Sequence, residues 1–433
     1  MKEYEISDKY GSWFRLDNSA AVYPMLITLK TQSLFRLGVE LTSYIDRDDL
    51  EKALKLTFKR FPSFEVELSQ GFFRHYFTAN HRPPIIRADD GSLLKRIDFR
   101  FNNGYLLRVT YYKNKIFTDF FHGLCDGAAA VEFVKSLVYH YLTERGEEIP
   151  DEGKVKTIDS PIDTEEFIDG FKKYYTKFDL KQGIDKMAGK GAFPIKNTFF
   201  KREGLGLIQG FLKTDELLDF ARKQNCSITV LAAAISMLAV TKIYYKDTHK
   251  QDLIVFIPIN LRRFYPTKSV YNFTTFAKCH INPNTVNHDL QSYIAVIKEQ
   301  LNKQLEKEEL DLKMSFTSLL DVKPYLKYMP LFLKSFFAKL GRRFTGASKQ
   351  TMIISNLGRV EMPQRSHEFI KNFTFMLNCS RKTPNNMAII SFGNTTAISF
   401  TRQIVSTEIE KEFFSMLAQA GLKVEIISNL REV

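Results

Sequence analysis

The sequence predicts an α/β protein of two domains, and three observations carry that reading. The chain has 433 residues, more than one ordinary domain holds. Segments with the period of a strand alternate along its whole length with segments that have the period of a helix. Between the halves, the run Glu144-Arg145-Gly146-Glu147-Glu148-Ile149-Pro150-Asp151-Glu152-Gly153 is charged and rich in turn formers, as an exposed connection would be.

The elements follow in order. Phe35, Leu37, Val39 and Leu41 face one way and Arg36 and Glu40 the other, the pattern of a half-buried strand. Asp48 is placed to cap a helix with the apolar stripe Leu50, Leu54 and Phe58, which ends at Phe61-Pro62. Two short strands, Glu65 to Leu68 and Phe72 to Phe77, flank the turn Ser69-Gln70-Gly71. A second hairpin, Leu106 to Tyr112 and Ile116 to Phe121, turns at Lys113-Asn114-Lys115 and delivers the chain to His122. The helix after it repeats apolar residues every three to four positions, from Ala130 to Leu142. Glu165 to Lys190 has room for a short helix, and the domain boundary is expected here, dividing residues 1–185 from 186–433.

The second half repeats the alternation. Gly206 to Lys213 reads as a strand and Thr214 to Lys223 as a helix capped by Thr214. Ser227 caps a small-residue helix from Thr229 to Tyr245, and Leu253 to Ile259 and Phe273 to Ile281 are strands. Leu290 to Leu305 is a helix. Met352 to Ser355, Phe373 to Leu377, Met387 to Phe392 and Ala397 to Thr401 are strands, and a helix runs near Glu408 to Gln419.

Composition narrows the function classes. A hydrophobic share of 44% and a charged share of 26% exclude a disordered chain or a coiled coil. The 38 Phe against one Trp suit a Phe-rich core better than a lipid channel, since most aromatics pack. The net charge of +13 favours phosphates, anionic lipid heads or acidic proteins as partners. No nucleic-acid-binding signature accompanies it, so no nucleic acid is expected. Cys125, Cys226, Cys279 and Cys379 are scattered, which is neither a disulfide framework nor a metal site. Met1-Lys2-Glu3-Tyr4-Glu5 has no apolar core of a signal peptide, and the apolar stretch Ile228 to Val240 is too short to span a bilayer. A cytoplasmic, reducing setting is expected. Residues 323–344 mix aromatics with Lys and Arg; packing in the core or along a channel is the favoured reading, and peripheral membrane contact the alternative.

Chemistry concentrates at His122-Gly123-Leu124-Cys125-Asp126-Gly127. Acyl transfer needs a base that takes a proton from a hydroxyl or amine as it attacks a thioester, and an imidazole is the usual one. Taken alone, His122 reads as a satisfied strand-end histidine and Asp126 as a helix cap. The order strand, motif, helix raises the catalytic reading, and Gly127 offers a tight turn behind the histidine. An oxyanion would need a donor, for which Ser355, Asn356 or a backbone amide of the 123–127 turn qualifies; Asn260 and Asn272 are placed to shape the site. Cys125 is a poor nucleophile candidate without a lowered pKa.

The run from Asp119 to Ala130 resembles the HxxxDG signature of the chloramphenicol acetyltransferase-like superfamily, which includes peptide-synthetase condensation domains. Arg15-Leu16-Asp17-Asn18, Arg60-Phe61-Pro62-Ser63-Phe64, Pro258-Ile259-Asn260-Leu261-Arg262, Tyr271-Asn272-Phe273 and Ser355-Asn356-Leu357-Gly358 are similar to further family segments, in the same order. Among its branches the chain looks most like the bacterial alcohol acetyltransferases. The resemblance implies two similar α/β sandwich domains with a tunnel between them. It implies His122 as general base, Asp126 as a structural aspartate paired with Arg262, and Gly127 as the turn glycine. It also implies a co-substrate, acyl-CoA or an acyl carrier's phosphopantetheine, with no bound cofactor or metal and a small alcohol or amine as acceptor. An acidic carrier protein as donor, or a non-catalytic acyl-binding protein on the same fold, are the alternatives. Phe121 stands where condensation domains with a doubled histidine have the first one, which argues against peptide-bond synthesis.

Overall fold

The computed structural model describes residues 13–28, 32–177, 191–201, 204–248, 251–345 and 350–429. Met1 to Glu5, the boundary expected after residue 185 and the end of the 165–190 segment lie outside them.

Alternating apolar side chains make strands of Leu34–Leu41 and Lys115–Phe121, which pair antiparallel with Leu34 opposite Phe121. Leu107–Tyr112 adds to the other side of Lys115–Phe121, and Ile86–Ala88 runs parallel at the edge. The opposite edge is filled from far along the chain: Ile370–Leu377 pairs with Leu34–Leu41, Leu377 opposite Phe35 and Ile370 opposite Leu41. A strand of the second half thus completes the five-stranded sheet of the first.

Helices Arg47–Arg60 and Gly127–Glu144 pack together over this sheet around an aromatic cluster. The Phe133 ring stacks on Phe64 at 4.8 Å and meets Phe58, Phe61 and Phe120 within 6 Å. Much of the expected Phe-rich core lies here.

The second lobe is a seven-stranded mixed sheet in the order Thr274–Ile281, Leu253–Asn260, Met352–Val360, Asn385–Phe392, Thr395–Arg402, Gly206–Lys213, Glu425–Ser428. Helices Ile228–Thr248, Leu290–Gln304 and Glu408–Gln419 supply its second core. The apolar stretch at 228–240 is therefore a core helix, and among the described residues no single helix is long and apolar enough to cross a membrane.

Several local expectations are corrected. Leu34–Leu41 is buried on both faces, because Arg36 is neutralised by Asp119 (Nε–Oδ1 2.6 Å) and Asp89 (3.1 Å). Asp46, not Asp48, caps the next helix, accepting from the backbone N–H of Asp48 and Asp49. Thr214 caps nothing; its hydroxyl hydrogen-bonds Thr396 at 2.9 Å. The first hairpin pairs Val66–Gln70 with His75–Ala79, which leaves Phe72 and Phe73 in an exposed turn. The Glu165 to Lys190 segment begins with a 3-10 turn, Thr164–Phe167, and a short helix, Gly170–Lys173. Ser227 caps as expected, accepting from Val230 N–H at 3.3 Å.

Removing the ring at the centre of the first core leaves a cavity among rigid aromatics. Phe133→Ala is expected to lower the unfolding free energy by about 3–5 kcal/mol, measured by urea denaturation.

Candidate active site

Strand Lys115–Phe121 ends at the lobe junction, and His122 is the next residue, its N–H bonded to Ser33 C=O at 2.9 Å. Tyr23 stacks on the imidazole at 4.6 Å, and Phe35 meets its edge at 5.2 Å. These rings leave few orientations open to it. Asn272, from the second half, fixes the one that remains: its Oδ1 lies 3.1 Å from His122 Nδ1. Asn272 Nδ2 donates to Asp17 Oδ2 at 3.1 Å, which orients the amide with its oxygen toward the ring. Nδ1 therefore carries the hydrogen and donates it, and Nε2 keeps a free lone pair. Among the described residues Nε2 has no hydrogen-bond partner, and the residue is part-buried. Burial of the ring holds the imidazole below its usual pKa; its own backbone, Asp126 and Asn272 oppose this weakly.

Asp126 reconciles the two readings of its position. Its Oδ1 caps helix Gly127–Glu144, accepting from Ala129 N–H at 3.0 Å. Oδ2 turns to the other lobe and accepts from Arg262 Nη1 (2.7 Å), Phe273 N–H (2.8 Å) and Thr274 Oγ1 (3.0 Å). Burial alone would raise this carboxyl; Arg262 and the backbone donors outweigh it and hold the pKa below the usual carboxylate range. Arg262 is held in turn by Ser269 C=O (3.0 Å), Tyr271 C=O and Asn260 Oδ1 (3.3 Å). Asn260 thereby acts on Arg262, capping the short turn Leu261–Arg263.

Gly127 lies in helical backbone, and what its missing side chain provides is room for Leu357. A Cβ there would lie 2.6 Å from Leu357 Cδ2, so the glycine admits the Ser355-Asn356-Leu357-Gly358 segment against the motif helix. In that segment Asn356 donates to Thr229 (3.1 Å) and accepts from Gly358 N–H (2.8 Å), both structural contacts. The Ser355 hydroxyl has no partner among the described residues and keeps some accessible surface. Cys125 is fully buried, and burial, with the Asp126 charge beside it, pushes its thiol well above the ordinary value, leaving no thiolate at neutral pH.

Asp17 and Tyr23 are site residues that sequence reasoning gave no role. Asp17 accepts from Ala20 N–H (2.7 Å) and from both the N–H (3.0 Å) and the side chain of Asn272. Burial and the Asp169 carboxylate push its pKa up to about 8. The available signal was the Arg15-Leu16-Asp17-Asn18 segment. An open cleft of about 890 Å³ lined by Thr143, Glu147, Gln364 and His367 lies at the far end of helix Gly127–Glu144 and includes none of these residues. Among the described residues no group of three or more His, Cys, Asp or Glu is placed to hold a metal ion.

The Asp126–Arg262 pair makes a stability prediction. Arg262→Ala strands a buried carboxylate, and the unfolding free energy should fall by about 3 kcal/mol in urea denaturation at pH 7. Because the folded carboxyl is held below its ordinary 3.8, the pair's contribution is present above that pH and is lost as pH falls through the depressed value. Mutant and parent should therefore converge in acid.

Residues 213–420 match the family model described as alcohol acetyltransferase. No curated protein matches the sequence. Among solved structures, the chain is similar to polyketide synthase associated protein 5 from Mycobacterium tuberculosis, with TM-score 0.62, 15% identity, and 94% of this chain and 98% of that one covered. It is also similar to TRI101 of F. graminearum complexed with coenzyme A and deoxynivalenol, with TM-score 0.60, 11% identity, and 95% and 99% covered. The trichothecene 15-O-acetyltransferase TRI3 from Fusarium sporotrichioides follows with TM-score 0.59, 14% identity, and 93% of each chain. At these identities the likeness to the solved structures is one of fold. Residues 213–420, a little under half of the chain, thus follow the alcohol acetyltransferase pattern, and the chain as a whole has the fold of these solved structures.

Proposed function

We propose that the protein transfers an acyl group from acyl-CoA to a hydroxyl or amine, with His122 as general base. One observation supports this reading: His122 Nδ1 lies 3.1 Å from Asn272 Oδ1, while Nε2 has no hydrogen-bond partner among the described residues. A base needs a free lone pair and a held tautomer, and an Nδ1–H bond to Asn272 would leave the Nε2 lone pair free.

The acceptor O–H or N–H hydrogen-bonds to Nε2. As its oxygen or nitrogen attacks the thioester carbonyl carbon, the proton passes to Nε2 and negative charge develops on the carbonyl oxygen. Asn272 Oδ1 stabilises the imidazolium by accepting from Nδ1–H, backed by Asp17. The Ser355 hydroxyl is the oxyanion donor in this proposal, since the Asn356 amide is already engaged by Thr229. Collapse of the tetrahedral intermediate breaks the C–S bond, and the Nε2 proton is returned to the coenzyme A thiolate. Asp126, Arg262, Gly127 and Asn260 position the motif without touching substrate.

Coenzyme A as donor is supported by TRI101, whose structure is complexed with it, and by the basic charge of +13, which suits its phosphates. A carrier protein is the second donor, supported by the fold shared with the first condensation domain of the CDA synthetase (TM-score 0.57, 13% identity). Thiol release from acyl-CoA and from acyl-carrier substrates, compared side by side, decides between them.

In that assay His122→Ala is expected to lower kcat/KM by about 10²–10⁴. An unchanged rate would refute the role. Asn272→Leu, which removes one neutral hydrogen bond to the ring, should cost roughly fivefold in kcat. Burial favours the neutral ring, so the base form persists into mild acid: kcat/KM should rise with pH along an apparent pKa below 6.5 and be flat above it.

A further inference from the structure

Helix Leu331–Thr345 is inside out. Phe332, Leu333, Phe336, Phe337 and Leu340 follow helical spacing and form one face, yet that face points to solvent, with Phe332 68% and Phe336 60% exposed. The buried side holds Leu331 and Lys334, and the Lys334 ammonium donates to Phe73 C=O and Lys327 C=O, both at 2.9 Å. The apolar face does not end with the helix. Leu331 N–H bonds Phe72 C=O at 2.8 Å, which brings the exposed hairpin turn alongside. Phe72 and Phe73 stand edge to face at 4.9 Å, and Phe73 meets exposed Tyr328 at 6.4 Å. Tyr325 continues the patch, 61% exposed. A contiguous exposed surface of this size on a folded chain marks an interaction site.

Charge selects the occupant. Residues 322–345 contain six Lys and Arg and no Asp or Glu. Aromatic side chains set among lysines are the composition of an element that lies in the headgroup region of a bilayer, where rings enter the acyl boundary and ammonium groups meet anionic lipid. We propose that this surface, helix Leu331–Thr345 with segment 322–330 and the turn at Phe72–Phe73, docks the protein on an anionic lipid bilayer. The same helix packs against Val22–Met25, which carries Tyr23, so docking sets one wall of the His122 site beside the membrane. The proposal does not depend on the acyl-transfer reading.

The test is co-sedimentation of the full chain with phosphatidylcholine vesicles, with and without phosphatidylglycerol. Binding to the anionic vesicles that weakens with salt is expected. Phe332→Ser/Phe336→Ser/Phe337→Ser changes exposed side chains only, so it should keep the parent's melting temperature and lose about tenfold or more in vesicle partitioning. Lys323→Glu/Lys327→Glu/Lys339→Glu should lose the preference for anionic lipid. A parent chain that stays in the supernatant, or triple variants that partition as the parent does, would overturn the proposal. So would a parent that binds no vesicle but self-associates in ultracentrifugation through these phenylalanines, because the patch would then be an interface between copies.

Discussion

The arrangement of the site depends on one buried carboxylate serving both lobes. Asp126 caps its own helix with Oδ1 and receives three donors from the second lobe on Oδ2. A carboxylate so placed stays ionised only while every donor is in position. Any shift of the second lobe would leave its charge buried without Arg262, which is strongly unfavourable. The penalty turns one residue into a register pin. The spacing of the motif follows: with the histidine ending a strand and the aspartate opening a helix, the side chains point to different tasks. His122 is held by Asn272 and its ring neighbours, and Asp126 by donors of the second lobe.

The imidazole is held from both halves as well. Its tautomer is set by Asn272 of the second half, and that amide is set by Asp17, 255 residues earlier in the chain. The ring cannot keep this state if the segment 271–274 moves, because Phe273 N–H and Thr274 Oγ1 are also bound to Asp126. Orientation of the imidazole and contact between the lobes are therefore carried by the same four consecutive residues, 271–274. The close approach of Leu357 to Gly127 adds a third contact between the lobes, and a side chain at 127 would have to displace the end of that leucine.

Local structure was readable in the sequence to the extent that it was local. His122, Asp126 and the strand–motif–helix order lie within a dozen residues, and helix Thr214–Lys223 and helix Glu408–Gln419 were legible to their ends because their apolar periods are complete. What failed to show were pairings of high sequence separation. Arg36 read as a solvent-facing residue because its neutralising partners come from elsewhere in the sheet, Asp119 from strand Lys115–Phe121 and Asp89 from just beyond strand Ile86–Ala88. Ile370–Leu377 was visible as a strand, but its period of two does not say which sheet it joins, and it joins the sheet of the first lobe. Asp17 and Tyr23 were silent for the same reason: a single aspartate after a short strand gains its meaning from Asn272 and Asp169.

The 38 phenylalanines show the limit of composition from another side. Phe133 and Phe336 both sit in helices with helical apolar spacing, and the pattern around each predicts a buried face. Periodicity establishes that a face exists; it does not establish what the face looks at. The outcome is decided by what encloses the face. Around Phe133 the neighbouring rings of Phe58, Phe61, Phe64 and Phe120 enclose the face, and the ring closes a core even though Lys135, Ser136 and His140 of the same helix are buried too. On helix Leu331–Thr345 the inward side carries Lys334, whose stem fills space while its ammonium is satisfied by two backbone carbonyls. No ring cluster of the core encloses the aromatic face of this helix; it lies outward, and a basic, aromatic surface is the result.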